Sequence, residues 1–116
     1  MLRILKLLNE KKNLIIKYEV LEFKWREDFY LIKIKCHIKD RSVLFIKESL
    51  IGKEKKYSYH WQDEKGRLIC RWDNAPYHKN IDTFPHHIHF KGKIRGSHNF
   101  DIESVFKFIE EYIKGK

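Results

Sequence analysis

The sequence predicts an α+β fold: a single domain over residues 1–116 in which a curved antiparallel sheet of about five or six strands packs against a C-terminal helix, with a short helix at the N-terminus. Three observations lead there. Apolar residues recur with a period of two from Leu14 to Asp63, the pattern of half-buried strands. They recur at helical spacing from Ile102 to Ile113. The polar connections between the strand-like runs are short, and short connections join only antiparallel neighbours. A chain of 116 residues suffices for one hydrophobic core and falls short of two domains of ordinary size.

The elements follow in order from local signals. Leu2, Ile4, Leu5 and Leu8 lie on one face of a helix that gives way to the polar run from Asn9 to Asn13. Strands are expected over Leu14–Lys24, Tyr30–Lys39, Val43–Ile51 and Lys55–Asp63, with turns at Arg26–Asp28, Asp40–Ser42 and Gly52–Glu54. A fifth strand, Arg67–Trp72, completes a hairpin through Asp63-Glu64-Lys65-Gly66, where Gly66 can take the positive φ that the loop requires. Pro76 and Pro85 bracket a loop, and His87–Ile94 supplies a further strand or extended segment beside the turn-like Gly92 and Gly96. In the last helix Ile102, Val105, Phe106, Ile109 and Ile113 form one apolar stripe, with Asp101 as N-cap and Gly115 past the end.

Composition narrows the function classes. The longest apolar runs fall well short of the roughly 18 to 20 residues that span a bilayer, and Lys6 interrupts the leucines of the N-terminus, which lacks a small-residue cleavage site. The expected location is the cytoplasm, away from membranes. Cys36 and Cys70 each sit in an apolar-patterned run and read as buried free thiols. With 25 Lys+Arg against 16 Asp+Glu the formal net charge is +9, so a polyanion, nucleic acid or an acidic protein, is the expected partner. A net charge that only serves solubility is the competing explanation.

Candidate chemistry concentrates between Tyr57 and His89. In the second strand Ile32, Ile34, Cys36 and Ile38 alternate with Lys33, Lys35, His37 and Lys39, so one face is core and the other a row of positive charge able to follow a phosphate backbone. A solvated outer face is the plain alternative. In the fourth strand Tyr57, Tyr59 and Trp61 take one side and Ser58, His60 and Gln62 the other. In the fifth, Arg67, Ile69, Arg71 and Asp73 oppose Leu68, Cys70 and Trp72. Whether His60 shares a face with Arg71 depends on hairpin register, because a slip of one residue reverses the faces. His78, His86, His87 and His89 are four of the seven histidines. Histidines titrate near neutral pH and can act as acid and base, while Arg or Lys stabilises charge on a phosphoryl group. One could accept a proton from a 2′-hydroxyl and another donate to the leaving oxygen, without metal. His87 and His89 with Asp73 or His78 could instead bind a metal, and single histidines can serve only to cap and hydrogen-bond a loop.

The runs Tyr57-Ser58-Tyr59-His60-Trp61-Gln62-Asp63, Gly66-Arg67-Leu68-Ile69, Arg71-Trp72-Asp73-Asn74-Ala75-Pro76 and Thr83-Phe84-Pro85-His86-His87 together resemble the TumE family of toxin-antitoxin toxins. The strand-rich N-terminal half and the single C-terminal helix agree with that family in order and length. Where relatives commonly have Tyr-Asp-Asn-Ala-Pro-His-His, this chain has Trp72-Asp73-Asn74-Ala75-Pro76-Tyr77-His78, and Ile88 replaces a residue that is often basic. The resemblance implies a small toxin encoded beside an antitoxin, typically one with a helix-turn-helix region.

Chemistry and resemblance together lead to the expectation of a toxin that acts on RNA as a metal-independent ribonuclease, with no cofactor. The expected catalytic set is His60, Arg71, Asp73, His86 and His87, and the expected nucleic-acid contacts are Lys33, Lys35, Lys39, Arg67 and His89. The alternatives are a non-enzymatic basic protein that blocks a target or docks an acidic partner, and a metal-dependent nuclease. By electrostatics the neutralising part of the antitoxin should be acidic.

Overall fold

Strand alternation and the two amphipathic helices assemble as follows in a computed structural model, which describes residues 2–74, 87–91, 93–96 and 101–115. Helix α1 (Leu2–Glu10) is followed by strands β1 (Ile15–Arg26), β2 (Phe29–Ile38), β3 (Val43–Ile51), β4 (Glu54–Gln62), β5 (Leu68–Asp73), β6 (His87–Phe90) and β7 (Lys93–Gly96), and then by helix α2 (Ile102–Lys114). The strands form one sheet in sequence order from β1 to β7, every neighbouring pair antiparallel. The α+β architecture is the one expected from the pattern. Among the described residues the sheet has seven strands, because the His87–Ile94 segment does not run through as one: the chain turns at Lys91, whose φ is 53°, and makes two short strands.

The turns carry the chemistry their geometry needs. Gly66 has φ 84° in the β4–β5 hairpin and Gly52 has φ 60° between β3 and β4, conformations that a Cβ makes costly. Arg41 sits at φ 73° in the β2–β3 turn, where the Asp40 carboxylate accepts from the Ser42 amide at 3.0 Å and locks the loop. Helix α2 starts at Asp101, whose side chain accepts from the Ser104 amide at 2.9 Å.

One face of the sheet is covered by both helices. Ile32, Ile34, Cys36, Ile38, Leu44, Ile46, Tyr59, Trp61, Cys70 and Trp72 are buried there against Ile4 and Leu8 of α1 and Val105, Phe106 and Ile109 of α2. Trp61 meets Tyr112 edge-on at 5.0 Å and Trp72 meets Phe108 at 5.3 Å, the geometry aromatic quadrupoles favour. The Trp61 indole N–H donates to Ser42 Oγ at 2.8 Å, so its polar end is satisfied inside the core. Both cysteines are buried and free, and burial pushes each thiol up to about 12. Among the described residues, no helix is long and apolar enough to cross a membrane.

Candidate active site on the open face of the sheet

Among the described residues no helix lies over the other face, which is ordered by register. A single cross-strand row runs Lys35, Phe45, His60, Arg71 and His89 from β2 to β6, and the row beside it runs Lys33, Lys47, Ser58 and Asp73. The meeting of His60 and Arg71 depends on one irregularity. Gln62 pairs with Leu68 at the hairpin end, and continuing that register would set His60 opposite Cys70. Ile69 is the extra residue between Trp61 and Gln62 on the partner strand, and the shift it introduces brings Arg71 opposite His60 while Trp61 and Cys70 stay together in the core.

Arg71 is the hub. Its Nε donates to Asp73 Oδ2 at 3.0 Å and its Nη1 to His60 Nδ1 at 3.3 Å. An arginine can only donate, so His60 Nδ1 must be an unprotonated acceptor and the imidazole is the neutral Nε2–H tautomer. That assignment holds whichever way the Gln62 amide is turned, and His60 Nε2 reaches Gln62 Oε1 at 3.2 Å. Partial burial and then the Arg71 charge both hold the His60 pKa below the ordinary histidine value, against a smaller opposing effect of Gln62. The ring is therefore neutral at physiological pH.

Asp73 lies on this open face and is nevertheless only 3% exposed. Besides Arg71 it faces His89 Nε2 at 3.6 Å, so one carboxylate links the guanidinium of its own strand to the imidazole of the next. Asn74 fixes the strand end: its side chain accepts from the Tyr57 amide at 2.9 Å and donates to the Lys55 carbonyl at 2.8 Å, extending the β4–β5 ladder beyond the last backbone pair.

Next to this group is a depression of about 390 Å³ lined by Leu21, Lys33, Phe45, Lys47, His60 and Arg71. Lys33 is tied to Glu22 at 3.2 Å, and hydrogen bonds from Lys33 and Lys24 hold the Glu22 carboxyl below its usual range. Lys35 stands over the Phe45 ring at 5.8 Å. Lys47 is exposed directly opposite Lys33, a pairing of like charges that an anion would relieve. Arg71 commits two N–H groups to described residues, which leaves donors of its five for a phosphate-like oxygen.

The structure thus brings together His60, Arg71 and Asp73 from the expected catalytic set and adds His89, which the sequence placed among nucleic-acid contacts. Lys33 and Lys35 lie on the same face. Lys39 does not join them: β2 ends at Ile38, and Lys39 lines a hollow with Glu10, Asn13 and Glu110 on the helix side. Arg67 is exposed in the hairpin turn before β5, its backbone held by Asp63. His87 is opposite Asp73 in backbone register, its side chain outside the described residues, and His86, Tyr77 and His78 lie wholly outside them. Among the described residues, no group of three His, Cys, Asp or Glu is placed to hold a metal ion. Sequence reasoning missed Phe45 and Lys47, although the outward positions of the Val43–Ile51 alternation contained them, and missed the clamp role of Asn74.

A family model described as Toxin TumE matches residues 4–113 of the chain. Comparison with curated proteins and with solved structures gives no match.

Proposed function

The chain belongs to the TumE family of toxins, which implies a cognate antitoxin, and we propose that it acts on RNA as a metal-independent ribonuclease centred on Arg71 and His60. The observation that carries this reading is the Arg71 fork, shared between a buried carboxylate and a neutral imidazole. An RNA phosphate arriving at the open face competes for the Nη1 donor. When Arg71 turns that donor to a non-bridging oxygen, His60 Nδ1 regains its lone pair and becomes the base. It takes the 2′-hydroxyl proton as the 2′-oxygen bonds to phosphorus, and the bond to the 5′-oxygen breaks. In this reading His89, whose Nε2 lies 3.6 Å from Asp73 in the adjacent strand, returns a proton to that leaving oxygen. Asp73 keeps Arg71 oriented through Nε, and Lys33, Lys47 and the Phe45 ring support the flanking nucleotides. His86 and His87 remain in the proposed set on their place in the shared motifs.

The test is to incubate the purified chain with total RNA in excess chelator. Cleavage should persist there, and it should fall at least ~100-fold in His60→Ala and in Arg71→Ala with unchanged circular dichroism. Cleavage lost in chelator and regained with a divalent ion would replace this reading by the metal-dependent one. Intact cleavage in both variants would sink the site assignment.

A second reading, non-enzymatic blockade by the basic face, is favoured by Lys33, Lys35 and Lys47 clustering beside Phe45. It predicts that Lys33→Glu with Lys35→Glu abolishes growth arrest while RNA stays intact in the parent. The antitoxin is proposed to be of the helix-turn-helix type, with an acidic segment covering this face. Its binding should weaken with added salt.

A further inference from the structure

The outer edge of β1 is not built like an edge that stays single. β1 is the terminal strand of the sheet and 12 residues long. Along it Val20 is 47% exposed, Leu21 55%, Phe23 46% and Trp25 65%. Long apolar edge strands are templates for pairing with another chain. We propose that β1 pairs antiparallel with β1 of a second copy of this chain, about a two-fold axis between Leu21 and Glu22, to join two sheets into one.

Register supports this occupant. Pairing about a two-fold normal to the sheet sets each residue opposite one with a fixed sum of numbers, and opposed residues share a face. In a regular strand the sum must be even. β1 is irregular: Leu21 is an extra residue, so Tyr18 and Val20, opposite Cys36 and Ile34, share the helix side with Phe23 and Trp25, opposite Ile32 and Tyr30. Faces then match when Val20 meets the partner's Phe23 and Tyr18 meets the partner's Trp25. In that register Glu19 meets the partner's Lys24, and the symmetry repeats the pair.

Neighbouring registers fail. One step in one direction sets Glu19 against the partner's Glu22 and Lys17 against the partner's Lys24, like charges at close range. One step in the other sets open-side Glu22 against the partner's helix-side Phe23. The favoured register leaves only Lys17 with the partner's Arg26 as a like pair, at exposed strand ends where solvent and salt screen it. A bulge ordinarily spoils an edge for pairing, but here the two-fold sets each Leu21 opposite the partner's Glu22, so both strands carry the same irregularity beside the axis. The joined sheet carries two Arg71 groups on one continuous open face.

Sedimentation equilibrium on the full chain tests the proposal. The expected mass at high concentration is twice the 14.3 kDa of the chain, and Val20→Lys, at an exposed position, should return it to the monomer with an unchanged circular dichroism spectrum, while its melting loses the concentration dependence that a dimer confers. Glu19→Lys and Lys24→Glu should each weaken the dimer by about tenfold, counting both symmetry-related pairs. The two changes combined should restore it, because they exchange the charges without removing the pair. A chain that is monomeric at every concentration, or a dimer untouched by Val20→Lys, overturns the proposal. A combined variant as weak as the single ones overturns the register.

Discussion

On the helix side of the sheet Ile34, Leu44, Tyr59, Trp61 and Trp72 are each 0% exposed, whereas on the opposite side their immediate neighbours in the same strands are Lys35, Phe45, His60 and Arg71, partly open to solvent. Both sides come from one alternation, yet they are ordered by different forces. The helix side is held by contact area with little room for adjustment, because packed interiors forfeit dispersion and transfer energy wherever an atom is removed. The open side is held by a few directed bonds around Asp73 and Arg71, which can be exchanged for bonds to a ligand. Stability should therefore reside in the first and activity in the second.

The sharpest way to break that contrast is Trp61→Ala. It should cost about 3–5 kcal/mol, since it empties a fully buried site and strips Ser42 Oγ of its donor. Urea unfolding would measure it, and a loss below about 1 kcal/mol would mean the core relaxes more freely than its packing implies.

Asp73 tests the contrast from the other side, being buried on the open face. Asp73→Ala should cost about 1–3 kcal/mol, less than Trp61→Ala, because the Arg71 side chain it abandons is 37% exposed and can turn to water. Arg71→Ala should cost at least as much, because the Asp73 side chain it abandons is only 5% exposed and cannot turn to water, and it should remove activity as well. If Asp73→Ala proved as damaging as Trp61→Ala, Asp73 would be a structural anchor first, and the division between faces would not hold.

How much of this was legible depends on whether a property is local. The alternation of β2 and β4, the positive φ of Gly66 and the cap at Asp101 are each decided within a few residues, and all could be read from the chain. The junction of His60 with Arg71 could not, because it depends on Ile69 being left out of the pairing, and the faces exchange on a slip of one. Glu48 shows a second limit. It occupies a core position in the β3 alternation and is only 8% exposed, a place where a carboxylate is costly unless paired. The Tyr59 hydroxyl donates to it at 2.8 Å and Lys55 lies at 3.8 Å, partners set by the β3–β4 register and not by the segment itself. Lys39 fails for a simpler reason: alternation places a residue on a face only while the strand lasts, and β2 stops one residue earlier.

The smallest expected effect concerns proton uptake at His60. Burial first and Arg71 second disfavour its charged form, so its folded pKa lies below the ordinary value of about 6.5. Above that value the ring is neutral in both the folded and unfolded chain, and the full stability is present. As pH falls below it, the unfolded chain binds the proton first, and stability is lost until the folded ring also titrates. Melting temperatures measured from neutral pH down towards pH 5 should accordingly decline less steeply in His60→Gln than in the parent. Arg71→Ala should fall between them, because it removes the second cause and leaves the first. Identical slopes in all three would show that His60 is not held neutral, and would take away the free base on which the open face depends.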